Sequence, residues 1–329
     1  MGSEKIVRLL GQEYVPVAYN GFRCGTDPDA KWLEVLRGQG AYVEANSFTV
    51  ATAGGKVLAN DSYGAHVVAE GFEKWKKLPE ADRKPGAIKV GAESPKPRLD
   101  PPAGGLIVRA YTRALKRDDK GQLARITAQD ARDKSVYPPE WDPLYNEPML
   151  DHLWLTESEG KSLVPADPRK GQKLSVPKPI QMRIFRFHLG NGTQGALETW
   201  DLEHVRRGEL VLIVEETTPL VQLRLEGSAV LSSDADLSKA KMGIGARLDG
   251  RLTYDPGRKT FTRFDMVATG EHWAEKMHAY YPTPRRGRNP LGVAFELIRE
   301  STPAGRVPPW GLFNGAPDGR RYFSAGEQD

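Results

Sequence analysis

The stretch Gly243–Trp273, GIGARLDGRLTYDPGRKTFTRFDMVATGEHW, constrains the fold more than any other part of the chain. Leu248, Leu252 and Tyr254 share one parity before the turn, and Thr262, Phe264, Met266 and Ala268 share one after it. Period two puts successive side chains on opposite faces, so this is the pattern of two half-buried antiparallel strands. Between them Asp255-Pro256-Gly257-Arg258-Lys259 supplies the proline and glycine of a hairpin loop longer than two residues. Upstream, Val221, Leu223, Leu225, Gly227, Ala229 and Leu231 alternate with Gln222, Arg224, Glu226 and Ser228, which predicts one dry face and one wet one.

Other strands are expected around these. Met182–Leu189 reads as a dense apolar strand, Leu210–Val214 as a strand covered on both faces, and Leu291–Ile298 as the last. Leu106–Leu115 and Leu123–Thr127 flank Arg117-Asp118-Asp119-Lys120-Gly121, another hairpin turn. Thr156 and Glu159 have the spacing of a capping box and predict a short helix. Thr199–Arg207 reads as a helical turn closing at Gly208. About eight antiparallel strands and few helices predict a β-sandwich or a partly closed barrel for this region. Gly 34 and Pro 25 exceed average usage without any repeat period, which favours turns between short strands over helical bundles.

The N-terminal part is different. Ser3-Glu4-Lys5 opens an amphipathic helix carrying Ile6, Val7, Leu9 and Leu10, and Tyr14–Ala18 reads as a strand. Asp27-Pro28 starts a second helix with Trp32, Leu33, Val35 and Leu36 on its apolar side. Ser47–Ala51 and Lys56–Ala59 form a hairpin, and Ala65–Leu78 a third helix presenting Val67, Val68, Phe72 and Trp75. Arg83–Gly105, rich in Pro, Gly and Lys, has little periodicity and marks a boundary. With 329 residues predicting about two domains, the expected layout is α+β. Residues 1–84 form a small α/β domain, 85–105 a linker, 106–300 a β-rich domain and 301–329 a surface tail pinned by Trp310, Phe313 and Tyr322.

The order of elements in residues 1–84 resembles the thioredoxin-like fold. The carrying residues are EKIVRLLGQEYVPVAYN, as helix and strand, and SFTVATAGGKVLAND, as the hairpin. Two marks of that family are missing, the CxxC motif and a Thr-Pro pair before the hairpin. Two alignments stay open. In one, Cys24-Gly25-Thr26-Asp27 stands where the redox motif would be, as a monothiol variant. In the other, EYVPVAYN is a later strand and the redox half is missing, a degenerate domain, which fits the EKIVRLLGQEYVPV pattern better. The chain as a whole is similar to planctomycete-type bacterial proteins grouped with the thioredoxin family, on the segments HLWLTESEGKSLVPADPRKG, MRIFRFHLGNGTQG and RFDMVATGEHW. That resemblance implies a two-domain layout and an exported location, and no mechanism.

Charge and cysteine usage narrow the partners. A net charge of +4 is far from the dense basic face that a phosphate backbone requires, so nucleic acid is not an expected partner. The densest basic cluster, Arg285-Arg286-Gly287-Arg288, fits a solvated loop or an anion contact. No apolar run reaches the ~18 residues of a membrane span. The start MGSEKIVRLLGQEYVPVA lacks the apolar core of a signal peptide, although Met1-Gly2-Ser3 could have replaced a leader, leaving a periplasmic or secreted location open. The lone cysteine, Cys24, excludes an intrachain disulfide and a cysteine-based zinc cluster.

Few residues offer chemistry. Cys24, at a strand-to-helix junction beside Arg23, could gain thiolate character from the helix dipole, but it has no partner cysteine. His188 in RIFRFHL, with Glu271, His272 and His278 after the hairpin, could converge on Zn, Cu or Fe, or be edge-of-core histidines donating to carbonyls. Glu271 and Asp265 are the acidic residues best placed for acid–base work. There is no GxSxG, Ser-His-Asp cluster, Walker loop or dinucleotide fingerprint, which argues against common hydrolases, NTPases and Rossmann dehydrogenases. The expectation is therefore an accessory protein pairing a degenerate thioredoxin-like module with a β-rich domain that binds a small ligand or a protein partner. A metal-dependent enzyme, possibly an oxidoreductase, and a self-assembling structural protein are the alternatives.

Overall fold

The computed structural model describes residues 4–15, 35–42, 47–61, 64, 66–83, 100–126, 130, 148–190, 199–274, 287–299, 307–312 and 320–326. The chain divides into two units, Met1–Arg98 and Leu99–Asp329. Together they make a mixed helix-and-strand protein of the α+β class with one large antiparallel sheet.

The N-terminal unit is built from α1 (Glu4–Gln12), β1 (Phe48–Ala51), β2 (Val57–Asp61), α2 (His66–Lys76) and α3 (Glu80–Arg83). β1 and β2 form the expected hairpin, closed by Gly55 N donating to Thr52 O at 2.8 Å. Gly55 sits at φ 85°, a conformation open to glycine and strained for residues with a Cβ. Val50, Leu58, Ala59 and Val67 make a small core, joined by Tyr14, Phe48, Trp75 and Leu78. Burial raises the pKa of the Tyr14 hydroxyl, which donates to Val68 O at 2.6 Å. Asn60 ties the hairpin to Tyr42, accepting from its N–H at 2.6 Å and donating to its carbonyl at 2.9 Å. Tyr14 and Val15 form no strand, and the helix expected from Asp27 lies largely outside the described residues.

In the C-terminal unit β3 is Leu106–Arg117, β4 Leu123–Arg125, β5 Met149–Leu155, α4 Glu157–Ser162, β6 Lys173–Ser175 and α5 Lys178–His188. β7 (Val205–Glu216), β8 (Val221–Ser232), β9 (Met242–Asp255), β10 (Thr260–Ala274), β11 (Asn289–Leu297) and α6 (Arg320–Phe323) follow. The nine strands form one sheet, ordered β4-β3-β11-β10-β9-β8-β7-β6, with β5 paired to β3 along Leu106–Thr112. The hairpin and alternation read from the sequence are β9–β10 and β8. A bulge between Phe261 and Arg263 shifts the parity once, so Phe261 as well as Phe264, Met266 and Ala268 faces the core.

The stretch expected as a strand around Met182–Leu189 is instead helix α5. Every residue from Ile180 to His188 is buried, so hydrophobic period carries no information there; length and the prolines at the N-terminal end decide for helix. α5 packs against both β5 and β7, which lie towards opposite ends of the sheet, so the sheet curls round it. Gly208 on β7 makes room, since a Cβ there would stand 2.4 Å from the Phe185 ring.

Three polar side chains on this buried helix are held by their own partners. Arg183 uses all five N–H groups: Nε donates to Tyr322 O (2.9 Å), Nη1 to Trp154 O (3.0 Å) and Glu159 Oε2 (2.8 Å), and Nη2 to Glu159 Oε1 (2.7 Å) and Phe323 O (2.9 Å). Arg186 donates to Trp200 O and Ala325 O, while Gln181 accepts from Leu210 N and donates to Val176 O. The capping box at Thr156 and Glu159 forms as expected, and the same Glu159 carboxylate receives Arg183. Burial pushes the Glu159 carboxyl up, and the hydrogen bonds and charge of Arg183, with Thr156, more than reverse it, leaving it below the usual range.

The C-terminal segment, read from the sequence as a surface tail, instead sends side chains into the core, although Val307 stays exposed. Leu312, Tyr322 and Ala325 are buried, because Arg183 and Arg186 need their carbonyl acceptors and Tyr322 fills the space beside Phe187. Phe313 lies outside the described residues. Removing the carboxylate in Glu159→Ala strands a buried guanidinium, so the urea midpoint should fall by roughly 3 kcal/mol of stability with unchanged slope. Tyr322→Phe removes the oxygen that accepts from Trp154 N and should cost about 1–2 kcal/mol in the same measurement.

Candidate functional site

Among the described residues, the candidate metal ligands His188, Glu271 and His272 are not brought together. His188 lies at the end of α5, 6.0 Å from the Phe295 ring on β11. Phe295 pairs with Met266, and His272 stands six residues further along β10, about 20 Å away at strand rise. Successive strand residues face opposite ways, so Glu271 points to the outer face and buried His272 to the inner one. Among the described residues no group of three or more His, Cys, Asp or Glu could hold a metal. Cys24 and His278 lie outside the described residues.

His188 belongs to a buried polar cluster. Its Nδ1 stands 3.2 Å from Asp151 Oδ2, close enough for an ion pair though not aligned as a hydrogen bond. Its Nε2 meets Tyr322 Oη at 3.2 Å, and Asp151 Oδ1 accepts from Trp310 N at 2.8 Å. Burial raises the Tyr322 hydroxyl far above the ordinary tyrosine range, so it stays protonated. These side chains pin β5, α5 and the C-terminal segment together, and solvent does not reach them.

Chemistry open to solvent lies on the outer face. One row of side chains crosses six strands there, Arg224 (β8), Arg251 (β9), Asp265 (β10), Glu296 (β11), Arg109 (β3) and His152 (β5), each directly opposite the next, and only its last member, His152, is fully buried. Glu215 joins the two like-charged neighbours Arg224 and Arg251. Asp265 accepts from Arg263 Nε at 2.5 Å. Glu296 faces Asp265 on one side and Arg109 on the other, and forms no ion pair with either. Arg109 Nη1 donates to Tyr111 Oη at 3.1 Å, while among the described residues neither its buried Nε nor the buried Nε2 of His152 has a hydrogen-bond partner.

A cleft of about 470 Å³ opens over this row, walled by Arg109, Arg263, Asp265, Glu296 and Arg299. Next to it a cleft of about 420 Å³ is floored by Gly250 and flanked by exposed Val267. A third, of about 270 Å³, holds Glu271 between Arg117 and Arg288, and the Arg288 guanidinium lies 4.0 Å from the Trp273 ring centre. Two acidic residues singled out from the sequence, Asp265 and Glu271, therefore do line clefts. Glu296 was missed; its outward position on the last strand is readable from the alternation, but its neighbours across the sheet are not.

Burial lowers the pKa of His152, with Arg109 and His188 adding to the effect against the pull of Asp151. A histidine whose folded pKa is depressed binds fewer protons folded than unfolded, so its share of stability is complete above the unfolded pKa and is lost as pH falls below it. Stability should therefore decline as pH falls below the ordinary histidine pKa of about 6.5, and His152→Gln should flatten that limb in denaturation at stepped pH. Glu159, with its lowered pKa, contributes loss only below the ordinary Glu range. Comparison of the chain with family models, with curated proteins and with solved structures finds no match.

Proposed function

We propose that the chain is a binding protein whose C-terminal unit, a partly closed barrel curled round its own helix, holds a small ligand or a protein partner on the outer face of its sheet. The observation that carries this reading is the filled interior. A curled sheet with an empty concave side could take its ligand within, but here α5 occupies that side with every residue from Ile180 to His188 buried. Recognition groups are left to the outer face, where charged residues and three clefts lie together. Edge-to-edge assembly has less support: β4 and β6 are 3 residues each, and the backbone of Trp154 on β5 is already bonded to Tyr322 and Arg183.

In this proposal the N-terminal unit is a degenerate thioredoxin-like module. Its support is the sequence resemblance, together with a hairpin followed by a helix packed on it. A single thiol cannot complete an intrachain dithiol–disulfide cycle. Insulin disulfides should therefore not be turned over above the background of added reductant, and steady turnover would end the degenerate reading. For the outer face, backbone amide spectra titrated with a panel of amino acids, sugars, sugar acids and dicarboxylates should shift on β9, β10, β11 and β3. Shifts confined to α5 or to the N-terminal unit, or none at all, would count against outer-face recognition.

A further inference from the structure

Resting on that outer-face reading, we infer that the cleft at Arg109, Glu296 and Arg299 binds a small zwitterion of the α-amino-acid type, carboxylate on the arginines and ammonium on Glu296. The sheet register places Glu296 and Arg109 directly opposite one another, where Cβ atoms stand ~5 Å apart. Two opposite charges so placed ordinarily close on each other. Here they do not: Arg109 turns to Tyr111 Oη, and among the described residues its buried Nε has no acceptor and Glu296 has no ionic or hydrogen-bond partner. Arg299, on the cleft wall just past β11, makes no ion pair among the described residues. The neighbouring pair is already satisfied, Asp265 by Arg263.

What remains is two positive groups and one negative group at adjacent positions, a charge pattern complementary to a molecule carrying both signs a few ångströms apart. A divalent cation would have Glu296 but would face two arginines. An inorganic anion would have the arginines but would face an uncompensated Glu296. Leu297 and Ile298 add apolar wall, which suits an aliphatic body, and about 470 Å³ lies within the size of small-molecule sites. Charged groups in a partly enclosed cleft make the stronger class of hydrogen bonds, and the planar guanidinium matches a carboxylate.

The test uses the full chain and three matched probes: leucine, 4-methylpentanoate, which lacks the amine, and 3-methylbutylamine, which lacks the carboxylate. Leucine should shift the amides of β11 and β3, and each half-molecule should bind at least about tenfold more weakly. Glu296→Gln should lower leucine to the level of the acid while leaving the acid's own binding intact or tighter. Arg299→Ala should lower it to the level of the amine. Both substitutions are at exposed positions, and an unchanged urea midpoint would separate lost binding from lost folding. If 4-methylpentanoate binds as tightly as leucine, or Glu296→Gln has no effect, the zwitterion assignment is overturned while outer-face recognition stands. If none of the three moves β11 or β3, the assignment is overturned as well, and outer-face recognition then stands or falls with the wider ligand panel.

Discussion

The buried guanidinium of Arg183 is the interaction on which the C-terminal unit depends. A charge with no exposed surface survives only if ionic and hydrogen-bond partners replace its water, and Arg183 has five. Those five bonds go to four residues on three elements: the capping-box Glu159 on α4, the edge-strand carbonyl of Trp154 on β5, and the Tyr322 and Phe323 carbonyls of α6, all meeting at α5. One side chain thus sets where the short helix docks, closes the free edge of β5, and draws the C-terminal segment into the core. Tyr322 completes the arrangement by accepting from Trp154 N and meeting His188.

Filling the concave side has a consequence for the convex one. Strand geometry sends alternate residues outward, and the inward set is committed to α5, so most charged groups carried by β8, β9, β10, β11 and β3 are displayed on one surface, while Thr112, Ser232 and His272 are buried. Cross-strand neighbours there include like charges, Arg224 beside Arg251 and Asp265 beside Glu296. The first pair shares Glu215, and in the second Asp265 takes Arg263, which leaves Glu296 without a partner among the described residues. Such a surface is held in place by local pairing wherever pairing is complete, and leaves charged groups open to solvent where it is not.

Much of the sheet was legible in the sequence. The alternation of Val221–Leu231 and of the Gly243–Trp273 hairpin gave strand identity, facing and the antiparallel pairing, and the Thr156/Glu159 spacing gave a capped helix. The error at α5 has a physical origin: a segment buried on all sides has no wet face to mark its period. The bulge at Phe261 shifts parity by one residue, and nothing in the local pattern announces it. Of the candidate site, Asp265 and Glu271 were visible as outward acidic residues. Glu296, Arg109 and His152 were not singled out, because their role comes from lying opposite one another.

The sequence by itself determined the α+β class, the long antiparallel hairpins, the lone thiol and the absence of familiar catalytic motifs, since these follow from periodicity, composition and local spacing. Only the tertiary structure decided that RIFRFH is a helix inside the curled sheet, that Tyr322 is a core residue, and that six side chains from six strands form one row. Each of those depends on contacts between residues far apart in the chain. Burial, register and charge pairing are properties of such contacts, and local pattern does not carry them.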